Sequence, residues 1–117
     1  MTNSILRTKS KEFAKDVVFL CRKLKQNGVE GALINQLIRC GTSVGANVHE
    51  AQYAQGTKDF ISKLEIALKE CNESEYWLEL LCVTNSLAEA EFKNFHNKCI
   101  ELRRILVSSV TTLKNKE

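Results

Sequence analysis

The residues best suited to chemistry form the run Gly41-Thr42-Ser43-Val44-Gly45, which matches the G-x-S-x-G pattern of a hydrolase nucleophile elbow. Asp59 and His96 follow in the order that a serine hydrolase triad would use. A nucleophile elbow needs a strand before it, however, and residues 34–39 have the apolar spacing of a helix. We therefore expect the match to be accidental, and the two glycines to let a neighbouring helix approach closely.

Metal and cofactor sites need clusters of ligands that this sequence lacks. Di-iron bundles use Glu-x-x-His pairs, but Ala46 stands three residues before His49 and Lys93 stands three before His96. The five cysteines are odd in number and never form a C-x-x-C pair, which favours buried thiols in a reducing cytoplasm over disulfides or zinc. We expect no enzyme activity, no cofactor and no metal.

Four amphipathic helices account for the chain. Proline is absent, glycine occurs five times, and 44% of the 117 residues are hydrophobic, which favours long helices over a sheet. Asn27-Gly28 predicts a left-handed stop after the first helix, Thr57 a cap for the third, and Ser86-Leu87-Ala88-Glu89 a capping box for the fourth. The predicted helices span about residues 6–27, 32–53, 57–84 and 87–114.

The connections between these helices are short, so each helix must turn back beside the previous one. The sequence therefore predicts one all-α domain over residues 1–117, an antiparallel up-down-up-down four-helix bundle. No apolar run reaches the roughly 18 residues that a membrane span needs, and the N-terminus lacks a signal-peptide pattern. We expect a cytoplasmic protein that makes no membrane contact.

Charge is distributed unevenly along the chain. The net charge is +3, but residues 1–25 hold seven basic and two acidic side chains, whereas residues 26–85 hold four and eight. The first and last helices are neighbours in the predicted bundle, and together they would form a basic surface suited to a nucleic-acid backbone. Its candidate residues are Lys11, Lys15, Arg22, Lys23, Lys25, Arg103 and Arg104.

The outward faces of the middle helices carry polar and aromatic residues that a lone bundle does not need. In the second helix they are Arg39, Ser43, Asn47 and Glu50. In the third they are Lys69, Glu70, Glu73, Tyr76 and Trp77. Exposed Trp and Tyr flanked by charge indicate a protein interface, so we expect self-association through these faces. Glu75, by contrast, falls in the core phase, and we expect it to be hydrogen-bonded or paired with a charge.

These same residues carry a family likeness. The run QLIRCGTSVGANVHEA at 36–51, with ALKE at 67–70 and EYWL at 75–78, resembles the four-helix-bundle proteins encoded in intervening sequences of bacterial 23S ribosomal RNA genes. The likeness covers nearly the whole chain. It implies a homopentamer around a central pore, and kinship with the pentameric accessory protein of diversity-generating retroelements, which binds nucleic acid and a reverse transcriptase.

Two functions follow as hypotheses. In the first, a ring of bundles binds nucleic acid, RNA in preference to DNA, through basic surfaces of the first and fourth helices. In the second, the ring is a scaffold that recruits a partner protein and makes no nucleic-acid contact of its own.

Overall fold

A computed structural model describes residues 4–116, which form four α-helices. They are α1 (Ser4–Gln26), α2 (Gly31–Ala51), α3 (Thr57–Val83) and α4 (Glu89–Asn115). Each helix packs against its predecessor, and α4 closes the bundle against α1 with fewer contacts. The structure thus confirms the all-α four-helix bundle, and its helix bounds lie within two residues of the predicted ones.

Apolar stripes from all four helices meet in one core. Phe13, Leu37, Leu64 and Leu102 are among its fully buried members. Each buried side chain of this size contributes about 1.5–3 kcal/mol of transfer free energy. The buried hydroxyl groups do not oppose folding, because they donate to backbone carbonyls of their own helices, as Ser74 Oγ does to the Glu70 oxygen at 2.8 Å.

Helices α1 and α2 approach each other closely at two glycines of α2. A Cβ atom added at Gly41 would stand 2.8 Å from Val17 Cγ1, and one added at Gly45 would stand 3.1 Å from the backbone oxygen of Ser10. Both distances are shorter than ordinary van der Waals contact. The prediction that these glycines admit a neighbouring helix is confirmed.

Both turns at one end of the bundle are Schellman motifs. Gly28 has φ 76° and ends α1, with the Val29 N–H donating to the Leu24 oxygen at 3.1 Å. Asn85 has φ 64° and ends α3, with the Ser86 N–H donating to the Leu81 oxygen at 2.8 Å. The left-handed stop predicted at Asn27-Gly28 is confirmed.

The predicted caps of α3 and α4 are wrong. Ser86 belongs to the turn that ends α3, and Leu87 is buried, so α4 begins only at Glu89 after Ala88 and has no side-chain cap. Thr57 is the first residue of α3 rather than its cap. The Asp59 carboxylate instead accepts a hydrogen bond from the Gln55 N–H at 3.1 Å, which holds the chain as it enters the helix.

Candidate functional site

The G-x-S-x-G run lies inside α2, with no strand before it among the described residues. The Ser43 hydroxyl donates to the Arg39 carbonyl oxygen at 2.7 Å, so it is engaged with its own helix. His96 lies on α4 and pairs with Glu75, not with Ser43. The arrangement is that of a helix surface, and nothing in it forms a nucleophile elbow.

Two of the buried cysteine thiols, Cys21 and Cys40, are poor nucleophiles where they lie. Burial raises the pKa of Cys21 to about 11, with a smaller contribution from Cys40. Burial likewise raises the pKa of Cys40, against a hydrogen bond from Ser74 that lowers it. Because the thiolate is the reactive form, these groups behave as small apolar side chains. Across residues 4–116, no cluster of histidine, cysteine or carboxylate side chains could hold a metal ion.

None of the four described helices is long and apolar enough to cross a membrane.

The seam between α3 and α4 is centred on Glu75. Arg103 binds this carboxylate with two nitrogens, at 2.9 and 3.0 Å, and His96 Nε2 lies 2.7 Å from Oε2. The His96 ring stacks on Phe92 with the centroids 5.3 Å apart. Arg103 also donates to Asn72 at 3.0 Å. The predicted pairing of Glu75 is confirmed, and the seam uses three of the five N–H donors of Arg103.

The predicted interface on α2 and α3 contains an intramolecular charge cluster. Arg39 reaches across from α2 to bind Glu70 at 3.2 Å and Glu73 at a shorter distance. Trp77 Nε1 donates to Glu73 at 3.3 Å, and the hydrogen bond from Arg39 lowers the pKa of Glu73. Glu50 pairs with Lys63 at 3.4 Å. These polar groups therefore already have partners within the chain itself.

The other predicted interface residues differ in their exposure and in whether their polar groups have hydrogen-bond partners. The Asn47 amide donates to the Ser43 carbonyl oxygen at 2.9 Å along α2. Lys69 is exposed and has no hydrogen-bond or ion-pair partner among residues 4–116. The Tyr76 ring meets Trp77 edge-on at 5.0 Å but is 58% exposed. Tyr76 is thus the more accessible aromatic of the pair.

Tyr76 belongs to a line of exposed apolar residues on the outer face of α3. Ile66 is 39% exposed and Val83 is 69% exposed, and with Tyr76 they recur on one side of the helix. We call these three residues the α3 apolar stripe. Exposed apolar groups on one side of a helix are a candidate surface for contact with another molecule.

The seven predicted basic residues do not come together on one face. Lys23 pairs with Glu91 across the α1–α4 seam at 3.3 Å, and Arg103 turns to Glu75 on α3. The same α1–α4 seam holds the ion pairs of Lys9 with Glu101 at 3.1 Å and of Lys98 with Asp16 at 2.7 Å. Arg104 is exposed on α4. The boundary between the first and last helices is therefore a set of neutralised pairs, where the sequence analysis predicted a shared basic surface.

The other four predicted residues line the outer face of α1, together with one that the sequence analysis missed. At about 100° per residue they fall within an arc of about 80°, and the outermost two are about 27 Å apart along the helix. We call this set the α1 cation stripe: Arg7, Lys11, Lys15, Arg22 and Lys25. Arg22 lies over the Phe19 ring at 5.7 Å, and no stripe member pairs with an acid of residues 4–116.

Arg7 lies at the second position of the predicted first helix but was not among the residues predicted to bind nucleic acid. Its spacing of four residues from Lys11 was the signal that could have found it.

A groove runs beside this stripe between α1 and α2, with a volume of about 590 Å³. We call it the α1–α2 groove, and its walls include Arg7, Lys11, Ala14, Thr42, Gly45 and His49. At its edge the His49 ring meets the Tyr53 ring, with centroids 5.6 Å apart.

The comparisons with known proteins agree with the fold described above. The family model for 23S rRNA-intervening sequence proteins matches residues 2–108. The chain belongs to this family. A crystal structure of a protein of unknown function from the S23 ribosomal protein family of Bacteroides thetaiotaomicron is 43% identical and superposes with a TM-score of 0.88. The match covers 90% of this chain and 97% of that one. No curated protein matches the chain.

Membership of the family confirms the resemblance drawn from residues 36–51, 67–70 and 75–78.

Proposed function

We propose that this protein is a non-enzymatic, self-assembling bundle that binds nucleic acid, RNA in preference to DNA, through the α1 cation stripe. One observation carries the proposal: the cations of this stripe have no acidic partner among residues 4–116, whereas those of the seams are paired. A cation that is paired with a carboxylate attracts a phosphate less strongly, because much of its charge is already neutralised. An unpaired row about 27 Å long matches several successive phosphates.

Self-assembly would multiply this surface. The α3 apolar stripe lies on the helix diagonally across the bundle from α1, since α3 packs against α2 and α4. A contact through it leaves the α1 cation stripe of each subunit open. A homopentamer, which the family likeness implies, would then present five such stripes, and several weak contacts to one strand would act as one strong one.

The binding proposal is tested by anisotropy of a labelled structured RNA across a salt series. The stripe variant is Lys11→Gln/Lys15→Gln/Lys25→Gln. The matched control is Lys9→Gln/Lys23→Gln/Lys98→Gln, which removes the same number of charges from the paired α1–α4 seam. We expect at least tenfold weaker binding for the stripe variant, and less than threefold for the control.

The salt dependence should change in the same direction. Each lost phosphate contact lowers the slope of log K against log salt by roughly 0.7–0.9, so the stripe variant should lose about two units. No saturable binding by the wild type at low salt would refute the proposal, as would equal losses in the two triple variants.

The α3 apolar stripe also favours a second candidate function, that of a scaffold that recruits a partner protein. Tyr76→Ala is its probe, because this ring is exposed while Trp77 is half-buried against the core. The scaffold function predicts nucleic-acid-free protein and a partner whose capture is lost in Tyr76→Ala. Recovery of RNA alone, unaffected by the substitution, would contradict it. Light scattering on both proteins separates partner capture from self-assembly.

A further inference from the structure

The α1–α2 groove has the size of a ligand site. It exists because small residues let the helices approach: Gly45 lies against the Ser10 backbone, and Ala14 and Ala46 leave space above this contact. The floor includes the buried residues Ser10 and Val48. Its volume of about 590 Å³ falls within the range of small-molecule sites, roughly 300–1,000 Å³, and accommodates one nucleotide.

The electrostatics of the groove favour an anion. Arg7 and Lys11 stand on the α1 wall, and none of the lining residues is acidic. Neither cation has an acidic partner within residues 4–116. On the α2 wall, Thr42 Oγ1 donates its proton to the Ile38 carbonyl oxygen at 2.6 Å, so its lone pairs stay open to a donor. The groove thus offers cations on one wall and a hydrogen-bond acceptor on the other.

An aromatic pair flanks the same groove at the end of α2. His49 lines the groove, and its ring meets that of Tyr53, just beyond the helix, at 5.6 Å and an interplanar angle of 55°. Tyr53 is 75% exposed, more than any other exposed large apolar side chain described. Burial therefore contributes little to its energetics, whereas an exposed aromatic face beside cations is the usual platform for an unstacked base.

We infer that the α1–α2 groove binds one nucleotide of a single-stranded RNA, with its phosphate at Arg7 and Lys11 and its base on the His49–Tyr53 pair. The inference rests on the proposed function and gives it a site. With this groove, the protein surface attracts the sugar-phosphate backbone of RNA and also selects unpaired nucleotides. The base in a duplex is stacked on both sides and cannot reach Tyr53.

The test compares a labelled ten-nucleotide single-stranded RNA with an oligomer of the same length whose sugars carry no bases. Stacking on an aromatic side chain contributes about 1–3 kcal/mol per base. Tyr53→Ala should therefore weaken RNA binding at least fivefold and change abasic binding less than twofold. Val107→Ala, which truncates an apolar side chain that is 44% exposed and outside the groove, should change neither more than twofold.

The phosphate half of the inference has its own matched pair. Arg7→Gln/Lys11→Gln removes two cations that line the groove, and Lys15→Gln/Lys25→Gln removes two from the same stripe that do not. The groove variant should weaken binding of both oligomers at least threefold more than the other variant. All the substituted side chains are exposed, so the fold should be retained, which circular dichroism checks.

The outcomes separate the two proposals. If the wild type binds neither oligomer at low salt, the proposed function is wrong. If it binds RNA but Tyr53→Ala and Val107→Ala lose the same affinity, the nucleotide groove is wrong while the proposed function stands. The two histidines give an independent measurement, because titration with adenosine 5′-monophosphate should move the ring proton signals of His49 and leave those of His96 in place. Equal shifts at both rings would also overturn the groove.

Discussion

The α3–α4 seam and the α1–α2 groove use similar residues in opposite ways. In the seam, Glu75 accepts hydrogen bonds from both terminal nitrogens of Arg103 and lies 2.7 Å from His96. In the groove, Arg7, Lys11 and His49 meet no carboxylate of residues 4–116. The seam has neutralised its charge to hold two helices together, and the groove has kept its charge. Cations are therefore informative about function only after their internal partners are known.

Overpacking the helix contact under the groove should have the largest effect. The Cβ of Gly41→Leu would already stand 2.8 Å from Val17, so α1 must move away. We expect the free energy of unfolding to fall by about 3 kcal/mol in urea denaturation, the upper part of the overpacking range. Gly31→Ala is the control, because nothing lies within 4 Å of its new methyl group. Equal stability of the two variants would contradict the close contact.

Breaking the seam should cost less. Arg103→Ala leaves the half-buried Glu75 with His96 as its remaining charged partner, and we expect a loss of about 1–2 kcal/mol in thermal or urea unfolding. Arg104→Ala, the exposed neighbour, should change stability by less than about 0.5 kcal/mol. If Arg103→Ala and Arg104→Ala change the free energy of unfolding equally, the contrast between paired and unpaired cations is wrong.

The pH dependence of stability tests whether the α1–α2 contact is dry. Cys21 lies in it, 3.9 Å from the Ile34 oxygen, and its folded-state pKa of about 11 exceeds the ordinary value of 9.0. Between these values the unfolded chain releases the thiol proton and the folded protein keeps it, so stability falls as pH rises and is unaffected below pH 9. The stability gap between wild type and Cys21→Ala should narrow by about 1 kcal/mol from pH 8 to pH 10. A constant gap would mean that water reaches the thiol.

The smallest effect should come from releasing a paired cation. Asp16→Asn removes the partner of Lys98 in the α1–α4 seam. Because the pair is partly exposed, we expect a stability change below about 0.5 kcal/mol. The freed charge should raise RNA affinity about two- to threefold in low-salt anisotropy. Glu89→Gln, which frees Lys93 from a fully exposed pair, is the comparison and should do less. Unchanged RNA affinity in Asp16→Asn would mean that the ion pair does not weaken the attraction of the seam cations for RNA.

The sequence predicts the helices well because their signals are local. Apolar spacing and Asn27-Gly28 act within one or two turns, and the structure agrees with them. The capping box at Ser86 was equally local but wrong. The Ser86 N–H takes part in the Schellman turn that ends α3, and the Leu87 side chain is buried in the core. Two local signals competed for the same residues, and burial decided between them.

The surface was harder to predict because it depends on how the helices are offset. Arg39 and Glu73 were both placed on outward faces, yet the long Arg39 side chain bridges α2 and α3 and pairs them. Glu75 could be predicted as paired, since a carboxylate in core phase must find a partner. The identity of that partner, Arg103, depended on the register of α4, which periodicity does not fix. The groove and its Tyr53 edge were missed for the same reason.

Because four of the five thiols are buried, the fifth is an attachment point for a label in the unmutated protein. Cys21, Cys40, Cys71 and Cys99 are buried, and Cys82 alone of the five cysteines is partly open. Cys82 lies near the end of α3, and the His49–Tyr53 pair lies at the opposite end of a molecule 48 Å long. A maleimide dye should therefore react first at Cys82 in the unmutated protein, and report on RNA arrival and subunit exchange without touching the surface where binding is proposed.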